Sequence, residues 1–122
     1  MSRTWRLASF TLGAGLLALY ALPAGADQGP DPAVQGKKLY TARCLICHGR
    51  EGDGQGPAGE AMRPPPTDFS SQVFWRDARP AKIKSDTRDG IPGSAMRPFP
   101  DLSDEDLDAL LAYIQTFKPA SP

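Results

Sequence analysis

The chain is short of most things a self-sufficient core requires. Its 122 residues include one histidine, two cysteines, 8% aromatic side chains and no surplus of either charge. Each shortage excludes a class of protein. With 14 basic against 14 acidic groups, nothing is left over to neutralise phosphates, so nucleic acid is not the principal partner. The length suits one domain and falls short of a barrel or a doubly wound sheet. No run alternates apolar and polar residues in the manner of a strand, and the fold class expected is all-α.

The one long apolar run lies at the extreme N-terminus. Arg3 and Arg6 precede an uncharged stretch from Leu7 to Leu22, and Ala24-Gly25-Ala26 offers a small-residue cleavage site before Asp27. Residues 1–26 therefore read as a secretory signal, the run being shorter than the ~20 residues of a spanning helix. An uncleaved N-terminal anchor is the alternative. Residues 27–122 form the expected single domain, with a net charge of −2 and only 16 Leu, Ile, Val and Phe side chains. That share is below the ~20% at which a chain begins to look unable to fold. A small exported domain this poor in apolar bulk needs disulfides, a metal or some other group at its centre.

Cys44-Leu45-Ile46-Cys47-His48 places both cysteines and the only histidine in one C-x-x-C-H string. A disulfide between Cys44 and Cys47 closes a loop too small to constrain much of the unfolded chain. A thioredoxin-like pair belongs beside a βαβ pattern, which is absent. Zinc wants four protein ligands, and no second Cys/His cluster completes a site. Covalent attachment of haem c uses all three residues, the thiols as thioethers and the imidazole on the iron, and also supplies the missing core.

Two further segments join the string. Gly90-Ile91-Pro92-Gly93-Ser94-Ala95-Met96-Arg97-Pro98-Phe99 is an irregular loop around a methionine, and Leu102-Ser103-Asp104-Glu105-Asp106 opens a helix that includes Leu111, Tyr113 and Ile114. With the helix Gly36 to Tyr40 before the string, this order resembles the class I c-type cytochromes, small monohaem electron carriers of the bacterial periplasm. The resemblance runs from about Gly36 to Phe117. It implies a cytochrome c fold of three to five short helices around one covalently bound haem c. It implies Cys44 and Cys47 as the attachment points, His48 as proximal iron ligand and Met96 as distal ligand. It also implies redox proteins as partners, with no small-molecule substrate and no catalytic residue. Met96 is favoured over Met62 because its Gly/Pro loop can approach the distal face. Met62 follows His48 by only 14 residues, in a stretch expected to line the proximal side. One departure stands out: many relatives carry proline directly after the methionine, where this chain has Arg97.

Between these motifs the chain is punctuated clearly. Asp31 can cap a first helix with Pro32 in its first turn, turning Val34, Leu39 and Tyr40 inward. Gly36 inside that helix needs a reason, and the resemblance supplies a close helix crossing against Tyr113. Gly49 ends the turn that carries His48, and five glycines between Gly49 and Gly59 mark a loop passing close to something. Their spacing fits neither phosphate-binding pattern. Pro64-Pro65-Pro66 is stiff and suits the proximal wall, where the resemblance implies that a proline carbonyl accepts the His48 Nδ1–H bond. Asp68 to Arg79 reads as a short helix or turns bearing Phe69, Phe74 and Trp75, with the Trp75 indole as the donor able to reach a haem propionate. Pro80 to Asp89 reads as another short helix with Ile83 inward. Ser103 and Asp106 form a capping box for the last helix, flanked by Leu102 and Leu107. Its apolar face is Leu107, Leu110, Leu111, Ile114 and Phe117, and Pro119 stops it.

An iron saturated by His and Met has a raised potential and exchanges electrons without binding substrate. Two other readings fit the same residues: a haem enzyme or gas sensor with an open distal position, and a haem-bearing subunit of a larger dehydrogenase or oxidase. Charge is unevenly spread, with residues 63–97 at +3 and residues 98–122 at −4. Basic residues beside the haem edge are expected to meet an acidic partner, a scattered solvated surface being the alternative.

Overall fold

The structure, a computed structural model, describes residues 29–120. The signal segment read at residues 1–26 lies outside them. Five helices follow in order: α1 (Pro32–Arg43), α2 (Leu45–His48), α3 (Gln72–Asp77), α4 (Pro80–Asp89) and α5 (Asp104–Gln115). The described residues contain no strand, so the fold is all-α as expected.

The ends of the helices follow from local chemistry. Asp31 Oδ1 accepts from Ala33 N at 2.9 Å and Pro32 occupies the first turn of α1. Ser103 Oγ accepts from Asp106 N at 3.1 Å while Asp106 Oδ2 accepts from Ser103 N at 3.2 Å, a complete capping box. Gly49, with φ of 82°, closes α2 directly after His48.

Packing centres on α1 crossing α5, the most extensive contact between elements. A Cβ on Gly36 would stand 2.6 Å from the Ala109 carbonyl carbon and 2.9 Å from Tyr113 Cβ, so only glycine lets the backbones meet. Val34 does not turn inward: it is 52% exposed. The face of α1 that meets α5 is set by Gly36 and Tyr40, one turn apart, and Val34 lies two residues before Gly36, on the far side of the helix. Leu107, Leu110 and Ile114 of α5 are buried with Leu102, Phe69 and Phe99 in one cluster. Phe117 is half-buried and packs against that cluster, and Leu111, expected on the same face, is half-buried without joining it.

Tyr40 is 1% exposed and forms a ring triad with Tyr113 and Phe117, all centroids 5.2–5.3 Å apart. Its hydroxyl donates to the Gly49 carbonyl at 2.7 Å, tying the α1–α5 interface to the end of the C-x-x-C-H turn. Burial, reinforced by the neighbouring Cys44, pushes the phenol above its ordinary value, so it stays protonated and available to donate. Tyr40→Phe strands a carbonyl away from water and is expected to destabilise the haem-loaded protein by ~1–3 kcal/mol, read from its denaturant midpoint. An unchanged midpoint would show that water replaces the hydroxyl.

Ion pairs reveal where the uneven charge goes. Lys84 of α4 pairs with Asp108 of α5 at 2.6 Å, Arg88 pairs with Asp104, and Arg43 pairs with Asp101 at 2.6 Å. The basic middle and acidic end of the chain therefore meet each other in part. Among the described residues of the segment 63–97, Arg63, Arg76, Arg79 and Arg97 remain outside such pairs.

Candidate functional site

A cavity of about 510 Å³ opens beside α2, inside the ~300–1,000 Å³ range of cofactor sites. Cys44, Cys47 and His48 line one wall, Pro64 to Thr67 and Phe69 another, and Ile83, Thr87 and the loop Ile91–Arg97 face them. The string and the methionine loop, separated by more than forty residues in the chain, are thus brought to one space.

The string is held by the glycine-rich loop behind it. Gly54 N donates to His48 O at 2.8 Å, Gly56 N to Cys47 O at 3.1 Å and Ala58 N to Ile46 O at 2.9 Å. The last carbonyls of a helix otherwise have no partner, and here the loop supplies one for each. A Cβ at Gly56 would stand 2.6 Å from the Leu45 carbonyl oxygen, and one at Gly59 would meet the Cys47 oxygen still more closely. The something that the loop passes close to is the backbone of the string.

His48 is 9% exposed, and its Nδ1 lies 3.1 Å from the Thr67 carbonyl oxygen. A carbonyl only accepts, so Nδ1 carries the proton and Nε2 keeps its lone pair for a metal. The acceptor is Thr67 rather than a proline, one residue past the Pro64–Pro66 run. Burial pushes the imidazole below its ordinary value despite the Thr67 bond, which leaves it neutral at pH 7 as ligation requires. Burial likewise pushes the Cys44 thiol up to about 11, against the opposing pull of Arg43. The buried Cys44 position is thus unlike the electropositive settings that lower the pKa of cysteines in redox catalysts.

Two aromatic placements escaped the sequence. The Phe69 ring stacks on the His48 imidazole, centroids 4.8 Å apart and planes 17° from parallel. The Trp75 indole N–H donates to the Phe69 carbonyl at 2.6 Å, so that donor is already engaged and does not wait for a propionate. The residue type was visible in both cases; the partner was not.

Met62 and Met96 both line the cavity. Met96 alone of the two packs against the buried cluster, and its backbone is anchored by Ser94 Oγ on its N–H (3.1 Å) and Ile91 N–H on its carbonyl (3.0 Å). Arg97 also faces the cavity, its guanidinium 5.4 Å from the Phe99 ring centroid. Among the described residues no group of three or more His, Cys, Asp or Glu forms a metal site.

The cytochrome c family model matches residues 33–118, most of the chain. The chain belongs to the cytochrome c family. Cytochrome c-554(547) of Halothiobacillus neapolitanus is 34% identical over 93 residues, covering 70% of this chain and 97% of that protein. Thiosulfate dehydrogenase of Thiomonas intermedia (strain K12) is 47% identical over 39 residues, 32% of this chain and 12% of that protein. Among solved structures, the KustC0563 c-type cytochrome superposes with a TM-score of 0.57 at 28% identity, over 69% of this chain and 98% of its own. A chain of the Kuenenia stuttgartiensis reducing HAO-like protein complex gives 0.60 at 26% identity, over 69% of this chain and 41% of that one.

As a c-type cytochrome, the protein carries covalently bound haem c and transfers electrons between redox proteins. Its two cysteines have the spacing that fits one haem. The apolar cavity, the paired thiols and a neutral imidazole with a free Nε2 all suit that group.

Proposed function

We propose that the protein is an exported, single-haem class I electron carrier in which Cys44 and Cys47 hold the haem through thioethers and His48 and Met96 ligate its iron. One observation carries this reading: the string and the anchored Met96 loop line the same cavity. When bound, the haem supplies a one-electron iron couple, which a thioether ligand raises in potential. The chain's own residues do the rest. Thr67 accepts from Nδ1 and so leaves Nε2 of His48 unprotonated for the iron it would hold; the Ser94 and Ile91 contacts fix the backbone of Met96, whose sulfur would be the second ligand; the apolar walls would keep water from the bound group.

Export is supported by Arg3, Arg6 and the apolar run before Ala26, and in a bacterium places the protein in the periplasm. Mature protein beginning at Asp27, read by mass, is the expected product. No helix among the described residues is long and apolar enough to cross a membrane.

Met96→Ala is the test of ligation. It is expected to abolish the weak long-wavelength sulfur-to-iron band of the oxidised protein and lower its potential, while haem attachment persists. Survival of the band, with its loss in Met62→Ala, would transfer the ligand role to Met62. A second reading, a haem-bearing subunit of a larger oxidoreductase, draws on the segment shared with a thiosulfate dehydrogenase. Stable co-purification with a dehydrogenase from the native cell would favour it.

A further inference from the structure

We propose that Phe69 is a positioning residue for the iron ligand: its ring fixes the plane of the His48 imidazole, and Trp75 holds Phe69 in place to do so. The inference rests on reading His48 as the axial ligand. The bond from Cγ to Cβ and one hydrogen bond from Nδ1 to Thr67 hold the imidazole along one edge, and bending of that hydrogen bond with rotation of the side chain still lets the ring swing. The near-parallel Phe69 face, 4.8 Å away, blocks the swing.

Phe69 is held at both of its backbone polar groups and at its ring. Its N–H donates to the Gly52 carbonyl at 2.6 Å, its carbonyl accepts from Trp75 Nε1 at 2.6 Å, and the Phe74 ring meets it edge-on at 5.5 Å. It is 7% exposed. Gly52 in turn lies under Phe117 of the α1–α5 ring triad, so the grip reaches the main helix interface. The imidazole plane is thereby set by the fold and not by the metal.

The plane matters because the imidazole π orbital overlaps the iron orbitals according to its rotation. Holding one rotation in both oxidation states reduces the rearrangement that accompanies each electron transfer, a case of a site organised before the step it serves.

The test uses haem-loaded protein and three variants: Phe69→Leu, which removes the stacking face; Phe69→Tyr, which keeps it; and Trp75→Phe, which removes the indole donor together with part of the ring that meets Phe74. Proton NMR of the oxidised state reads the haem methyl shifts, which report the imidazole plane, and thermal melting is followed in parallel. Phe69→Leu is expected to redistribute the methyl shifts and slow electron self-exchange about threefold, or ~0.65 kcal/mol in barrier. Trp75→Phe should move the shifts the same way by less, and Phe69→Tyr should preserve the wild-type pattern. A wild-type methyl pattern in Phe69→Leu, with only melting lowered, overturns the proposal and leaves Phe69 a packing residue. Should Phe69→Leu not take up haem, an unaltered pattern in Trp75→Phe overturns it equally. Absence of shifted imidazole protons in the wild type overturns the ligation reading itself, and this inference with it.

Discussion

Without its haem, the chain is expected to lose most of its helix. A cavity of about 510 Å³ sits beside a core that, among the described residues, has eight buried hydrophobic side chains. Kept empty, at ~24 cal/mol per Å³, that space would cost on the order of 12 kcal/mol, comparable to the ~5–15 kcal/mol by which whole domains are stable. The cavity is open, so water enters instead, and its apolar walls are wetted rather than buried. Either outcome removes the driving force that holds α3, α4 and the Met96 loop in place. Cys44→Ala with Cys47→Ala blocks covalent attachment, and far-UV circular dichroism of this double variant should show a largely disordered chain. A native-like helical signal would mean that the α1–α5 pair carries the fold alone.

Gly36→Ala is expected to lower the melting temperature of the haem-loaded protein by roughly 5–15 °C. Alanine favours a helix interior by ~0.8–1 kcal/mol over glycine, so on propensity alone the change should stabilise α1. At this position the added methyl would press into the Ala109 carbonyl and Tyr113 Cβ. Those are backbone and near-backbone atoms, which cannot rotate aside, so the helices must separate. Overpacking of this kind costs ~1–3 kcal/mol, occasionally more, and here it opens the largest interface in the domain. The two effects have opposite signs, and the steric one is larger. A melting point equal to or above the wild type would show that α5 shifts without loss.

The haem site and the α1–α5 pair are two separate supports of the domain. Tyr40 links them, since its ring belongs to the helix pair and its hydroxyl reaches the residue after His48.

By itself the sequence determined the chemistry and most of the helix ends. Two thiols and an imidazole in five residues admit few uses, and the poverty of the core called for a group to occupy it. Capping residues act over three or four positions, which is why Asp31, Ser103, Asp106 and Gly49 were legible without coordinates. The methionine loop was legible as well, because glycine and proline mark irregular backbone and the flanking residues resemble those of the family.

Tertiary structure decided which atoms meet across the chain. Val34 was expected inside, yet the crossing selects the stripe through Gly36 and Tyr40. Thr67 rather than a proline accepts the His48 Nδ1–H bond, a difference of one residue in where the extended chain passes the ring. Trp75 turns its N–H to Phe69, and the basic middle of the chain meets its own acidic end through Lys84 and Arg88. A hydrogen-bond donor or a charge specifies that a partner is needed, not which one. The choice depends on distances of a few ångströms between segments far apart in sequence, and only the packing of the helices sets those.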